Sequence, residues 1–223
     1  MWVKKMQTFE YGDPNSDRVL LQPVDDHDLA GIESEVAAIK AHTDDFRLIA
    51  VKVNDWNRDL SPWPAPPVFG NEPFGDGAAA FLQEMLLLCA DRSKTYTIGG
   101  YSLAGLFALW AAYQTDTFRG AAAASPSVWF PGFADYTEAR SMKGKLVYLS
   151  LGDREEKTRN PVMATVGDRI REAHKWLSEQ GVDCVLEWNP GNHFKNADIR
   201  TARAFAWVMG RLTEERNERR KQI

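Results

Sequence analysis

The stretch Thr95-Tyr96-Thr97-Ile98-Gly99-Gly100-Tyr101-Ser102-Leu103-Ala104-Gly105-Leu106 constrains this chain more than any other. It opens as a β-branched and aromatic run, the pattern of a buried strand. It then passes through small residues into a helical pattern with Leu103, Leu106, Leu109 and Trp110 on one face. Ser102 stands at the change. A serine on so tight a strand-to-helix turn is pushed out of the sheet in a strained conformation, with its hydroxyl exposed. Strand and helix pass close together there, so the residues two before and two after must be small. Gly100 and Ala104 meet that need, although the usual G-x-S-x-G pattern has glycine at both places; Gly105 follows the alanine. A glycine-rich turn with an incidental serine is the bland reading. The strand before it and the helix after it favour a nucleophile.

The rest of the chain repeats this alternation. Strand patterns are expected at 18–24, 46–53, 95–101, 118–125, 145–151 and 182–188, with a weak edge strand at 6–11. The run at 46–53 is apolar except for Lys52, as in a parallel strand buried on both faces. Helical patterns fall through Ile32, Val36 and Ile39, then at 78–90, 103–114, 161–180 and 197–212. The acidic run Asp25-Asp26-His27-Asp28 precedes the first of these and suits its positive N-terminal end. Residues 54–77 read as irregular, with Trp56, Trp63 and five prolines. A loop of that length is usually functional or disordered. Its aromatics could wall a pocket or simply pack on the surface.

Alternating strands and helices demand a parallel sheet covered on both faces. At 223 residues, one domain spanning 1–223 is expected, with its core at about 18–212 and a polar tail at 213–223. The net charge of −4 removes the electrostatic case for nucleic acid. Arg216, Arg219, Arg220 and Lys221 alternate with Glu214, Glu215 and Glu218, as in a solvated helix end. Cys89 and Cys184 read as buried thiols, too few for a disulfide framework. Met1-Trp2-Val3-Lys4-Lys5 leads into no apolar stretch, and the run around Met85 to Ala90 is too short to span a bilayer. A cytoplasmic protein is expected, without membrane attachment. No metal-ligand spacing of Cys or His is present, and neither a metal nor another cofactor is expected.

Catalytic groups in such sheets sit beyond the carboxyl ends of strands. Ser102, the loop Gly152-Asp153-Arg154-Glu155-Glu156 and His193 each follow an expected strand directly. A serine hydroxyl needs a base, and the base needs an anion to hold its tautomer. His27 lies among acids, His42 at a helix end and His174 within a helix; only His193 lies in a turn after a late strand. The order serine, acid, histidine is that of α/β-hydrolases. Glu155 is favoured as the acid because it stands three residues beyond the strand-ending Gly152; Asp153 is the runner-up, and Glu156 competes. Oxyanion donors are expected from the backbone N–H of Leu103 and from Val24 or Asp25. Trp56, Trp63, Trp129 and Phe130 are candidate substrate walls, each equally at home in a core.

Gly99-Gly100-Tyr101-Ser102-Leu103-Ala104-Gly105, Ser125-Pro126-Ser127-Val128-Trp129, Gly152-Asp153-Arg154-Glu155 and Gly191-Asn192-His193 together resemble a family of α/β-hydrolase esterases. It includes feruloyl esterases, S-formylglutathione hydrolases and the esterases that open siderophore trilactones. Arg58-Asp59-Leu60-Ser61-Pro62 is similar to a segment of the siderophore-esterase branch that follows the same strand. The resemblance covers roughly residues 18 to 210. Its serine motif is general to α/β-hydrolases, whereas Ser-Pro-Ser-x-Trp is more particular to the family. The chain departs from the family in its short N-terminal part and in lacking Asp-Gly after the first core strand.

The resemblance implies an α/β-hydrolase fold without a large cap domain, and a Ser–acid–His esterase that needs no metal. The residue pattern extends its substrate candidates to Arg58 and Tyr101. An acyltransferase with the same triad, or a non-catalytic binding module, would share these patterns. A Ser102–His193 dyad would also.

Overall fold

The structure, a computed structural model, describes residues 6–221; residues 1–5, read above for a leader, lie outside the described residues. The apolar runs become one sheet: β1 (Thr8–Gly12), β2 (Arg18–Val24), β3 (Arg47–Lys52), β4 (Thr95–Tyr101), β5 (Phe118–Ala124), β6 (Leu146–Gly152) and β7 (Asp183–Asn189). Their spatial order is β1-β3-β2-β4-β5-β6-β7. β1 runs antiparallel to β3, and the remaining neighbours pair in parallel. Between the strands lie α1 (Asp26–Lys40), α2 (Trp56–Asp59), α3 (Ala78–Leu86), α4 (Leu103–Gln114), α5 (Phe133–Glu138) and α6 (Val166–Glu179), and α7 (Ala197–Lys221) follows β7.

Successive strand residues point to opposite faces. Leu21, Val51 and Ile98 pack with Phe81 of α3, Phe107 of α4 and Ile170 of α6. Leu20, Ala50 and Tyr148 pack with Val36 of α1 and Phe205 of α7 on the other face. Both faces are covered, which is why the strand sequences are apolar without alternation. Phe205, Val208 and Met209 of α7 are fully buried, each contributing about 1.5–3 kcal/mol by removal from water. That docking needs small partners. A side chain at Gly99 would lie 2.6 Å from the Phe205 ring and 2.8 Å from Ala122.

The acidic run at α1 does not merely precede the helix. Asp25 is its N-cap, accepting from the Asp28 N–H at 2.8 Å, while the Asp28 carboxylate accepts from the Asp25 N–H at 3.2 Å. This reciprocal capping box satisfies two otherwise orphan donors.

Several elements differ from the sequence expectation. α4 is buried all round from Leu103 to Tyr113, not on one face, because it is enclosed between the sheet and a further layer that includes Phe81 of α3. The irregular segment 54–77 contains α2 and one antiparallel bridge, Ala65 to Phe74. α5 was not expected; four to six residues are too few to show a period. α7 runs on through the expected tail to Lys221, supported by Arg119–Glu215 at 2.7 Å and by Arg211–Glu214 at 2.6 Å. Cys89 is buried but Cys184 only half so, and both are free thiols. No helix among the described residues is long and apolar enough to cross a membrane.

Candidate active site

Ser102 is the hinge between β4 and α4. Its backbone sits at φ 57°, ψ −119°, a region that costs a non-glycine residue about 1–3 kcal/mol. Surrounding bonds hold it there: Ser102 N–H donates to Ala124 O at 3.1 Å, and Ser102 O accepts from Leu106 N–H and Ser127 N–H, each at 3.0 Å. The helix can start so abruptly because Gly100 has no side chain; a Cβ there would lie 2.7 Å from that of Ala104. Leu103, the first residue of α4, has no intrahelical acceptor for its N–H.

Three loops converge on this serine. His193, in the loop after β7, places Nε2 2.9 Å from Ser102 Oγ and Nδ1 2.7 Å from Glu155 Oε2. A proton on Nδ1, donated to the carboxylate, leaves the Nε2 lone pair facing the serine hydroxyl. Tyr101 O–H donates to His193 O at 2.7 Å and steadies the loop. The other histidines are elsewhere: His27 in the first turn of α1, His42 just after that helix, and His174 within α6.

The three competing acids separate cleanly. Only Glu155 meets His193. The Asp153 carboxylate accepts from Gly191 N–H at 2.8 Å, tying the acid loop to the histidine loop. Glu156 pairs with Arg171 at 3.3 Å on the surface. Burial alone would raise the Glu155 carboxyl. The bond and charge of His193, with bonds from Arg200 and Ser125, outweigh it and hold the group below the ordinary glutamate value.

Several groups that touch these three residues have no local signature in the sequence. Arg200, from α7, is buried with its guanidinium Nη2 2.6 Å from Glu155 Oε1. Ser125, at φ 41°, donates its hydroxyl to the same oxygen at 2.8 Å. Gly152 N–H donates to it as well, at 2.7 Å. Ser127 Oγ lies 3.3 Å from Ser102 Oγ. The Ser-Pro-Ser segment was visible in the sequence, but nothing in it marked these contacts. Arg200 carried no signal beyond being an arginine in a helix.

Val24 and Asp25, expected to supply a second oxyanion donor, lie at the junction of β2 and α1. Val24 is the last residue of β2, in register with Lys52 of β3, and Asp25 N–H is taken by Asp28. The Asp25–Asp28 box starts α1 immediately after the strand. The substrate candidates also divide. Tyr101 touches the site through His193. Trp129 and Phe130 join an aromatic cluster with Phe74 and the half-exposed Phe69. Trp63 packs on Phe130 and donates to Pro131 O at 2.8 Å. Trp56 packs against the core from α2. Arg58 pairs with Asp59 at 2.9 Å and lines a separate cavity with Phe81 and Glu84. No group of three His, Cys, Asp or Glu side chains among the described residues is arranged to hold a metal ion.

No protein-family model matches the chain, and no curated protein matches it by sequence. Solved structures do. The siderophore hydrolase EstA from Aspergillus nidulans aligns at TM-score 0.64 and 17% identity, over 92% of this chain and 94% of that one. An IroE-like serine hydrolase from Shewanella oneidensis aligns at 0.65 and 13%, over 91% and 79%. Est1E from Butyrivibrio proteoclasticus, solved with ferulic acid, aligns at 0.56 and 14%, over 93% and 96%. The sheet order, the serine turn and these likenesses together make the fold of this chain that of the α/β-hydrolases.

Proposed function

We propose that the protein is a serine esterase that hydrolyses a carboxylic ester of a small molecule through an acyl-enzyme. The observation that carries this reading is the unbroken line Glu155–His193–Ser102, at 2.7 and 2.9 Å, ending on a serine in a strained turn. Ser102 Oγ attacks the ester carbonyl as His193 Nε2 takes its proton. Glu155 holds the opposite ring nitrogen and stabilises the imidazolium that forms. The Leu103 N–H faces the developing oxyanion at the positive end of α4. His193 returns the proton to the leaving alcohol, and water then releases the acyl group by the reverse sequence. Siderophore hydrolases and a ferulic-acid complex among the similar structures support siderophore and phenolic esters as first substrates. The free thiols Cys89 and Cys184 support a reducing, cytoplasmic setting.

The test is labelling with a fluorophosphonate probe, then assay on esters of graded acyl size with and without an acceptor alcohol. Wild type should be labelled and should release free acid; Ser102→Ala should lose both while keeping its circular dichroism spectrum. A Ser102→Ala variant with wild-type turnover would end the reading. Acyl transfer to the alcohol in preference to water would replace it by an acyltransferase.

A further inference from the structure

Arg200 is 3% exposed, so its charge has lost nearly all its water and must be compensated by the protein. The compensation spans four segments. Nη2 bonds Glu155 Oε1 at 2.6 Å and also Ser125 Oγ; Nη1 bonds Tyr101 O–H at 2.7 Å and Asn192 O at 3.3 Å. Tyr101 adjoins the nucleophile, Asn192 adjoins His193, and Glu155 is the acid itself. One planar fork therefore links all three loops of the site. Only arginine offers that many donors in fixed geometry.

We propose that Arg200 is a positioning residue for this site: it pins one oxygen of Glu155 so that the other meets His193. The proposal rests on the esterase reading for its kinetic consequence alone. Oε1 receives Arg200, Ser125 and Gly152 as donors, which leaves Oε2 to the histidine. A glutamate has three side-chain torsions, and this anchoring removes their freedom. Removing the fork should therefore loosen the acid against His193 and slow proton transfer, while leaving substrate binding largely alone.

The experiment follows by NMR the proton that His193 Nδ1 donates to Glu155 in the full-length protein, beside kcat and KM on a p-nitrophenyl ester. In Arg200→Lys, which keeps the charge but not the fork, that resonance should be broadened by exchange with water, and kcat should fall at least about tenfold with KM little changed. Either a wild-type kcat or an unchanged Nδ1–H resonance in Arg200→Lys overturns the positioning role. If Arg200→Lys does not fold, Arg200→Gln, which keeps two amide donors, makes the same comparison. The resonance needs no turnover, so a failed esterase reading, seen as hydrolysis independent of Ser102, is distinguishable from a failed Arg200 role.

Discussion

Glu155 is one methylene longer than an aspartate, and that reach is useful because three donors grip its inner oxygen. The difference between it and its neighbours can be read directly. Glu155→Gln should lower kcat by about 10⁴-fold, since an amide favours the wrong tautomer of His193. Asp153→Asn keeps the oxygen that accepts from Gly191 N–H, and Glu156→Gln loses only an exposed ion pair. Both should stay within about threefold of wild type, because exposed pairs are worth about 0–1 kcal/mol. Steady-state kinetics on the three variants decide it. If Asp153→Asn is the crippling change, the acid is Asp153 and Glu155 is a structural anchor. If all three are mild, hydrolysis runs on a Ser102–His193 dyad.

At the scale of the element, β4 and α4 meet at a turn that tolerates no side chain at its start. Gly100→Ala would drive a Cβ to 2.7 Å from Ala104, and α4 with Ser102 would have to move. Urea unfolding should show a loss of about 1–3 kcal/mol, and turnover should fall with it. Unchanged stability and activity would show that the helix start is more pliable than its geometry indicates. This turn and the long strands were legible because their determinants lie within a few residues: β-branched runs, then small residues, then helix formers. α2 and α5 were not, since they are held by tertiary contacts. Trp56 and Phe133, their first residues, pack against the core.

Across the whole molecule, the face between α1 and α7 carries a buried acid. Glu35 is 3% exposed and accepts from Gln22 Nε2 at 3.2 Å. Burial, with repulsion from Asp28 and Asp198, outweighs the Gln22 bond and raises its carboxyl from 4.5 to about 8. The folded protein therefore holds a proton that the unfolded chain releases between those values. The stability linked to this proton is complete below pH 4.5 and is lost as pH rises through about 8. Glu35→Gln should melt near the wild-type temperature at pH 4 and several degrees above it at pH 9. A melting difference that does not grow with pH would refute the buried-proton account.

The order of strands and helices, the serine turn, and the succession of serine, acid and histidine were determined by the sequence alone. Each depends on spacing, burial pattern and backbone preference over short stretches. The choice of Glu155 over Asp153 as the partner of His193 was decided only when the loops after β6 and β7 were brought together. Arg200 was beyond local reading altogether. It reaches Glu155 across 45 residues of sequence, and it arrives there because Gly99 and Ala122 are small enough to let α7 settle on the sheet. Packing at that range reflects the summed shapes of many side chains, and no single segment of the chain contains it.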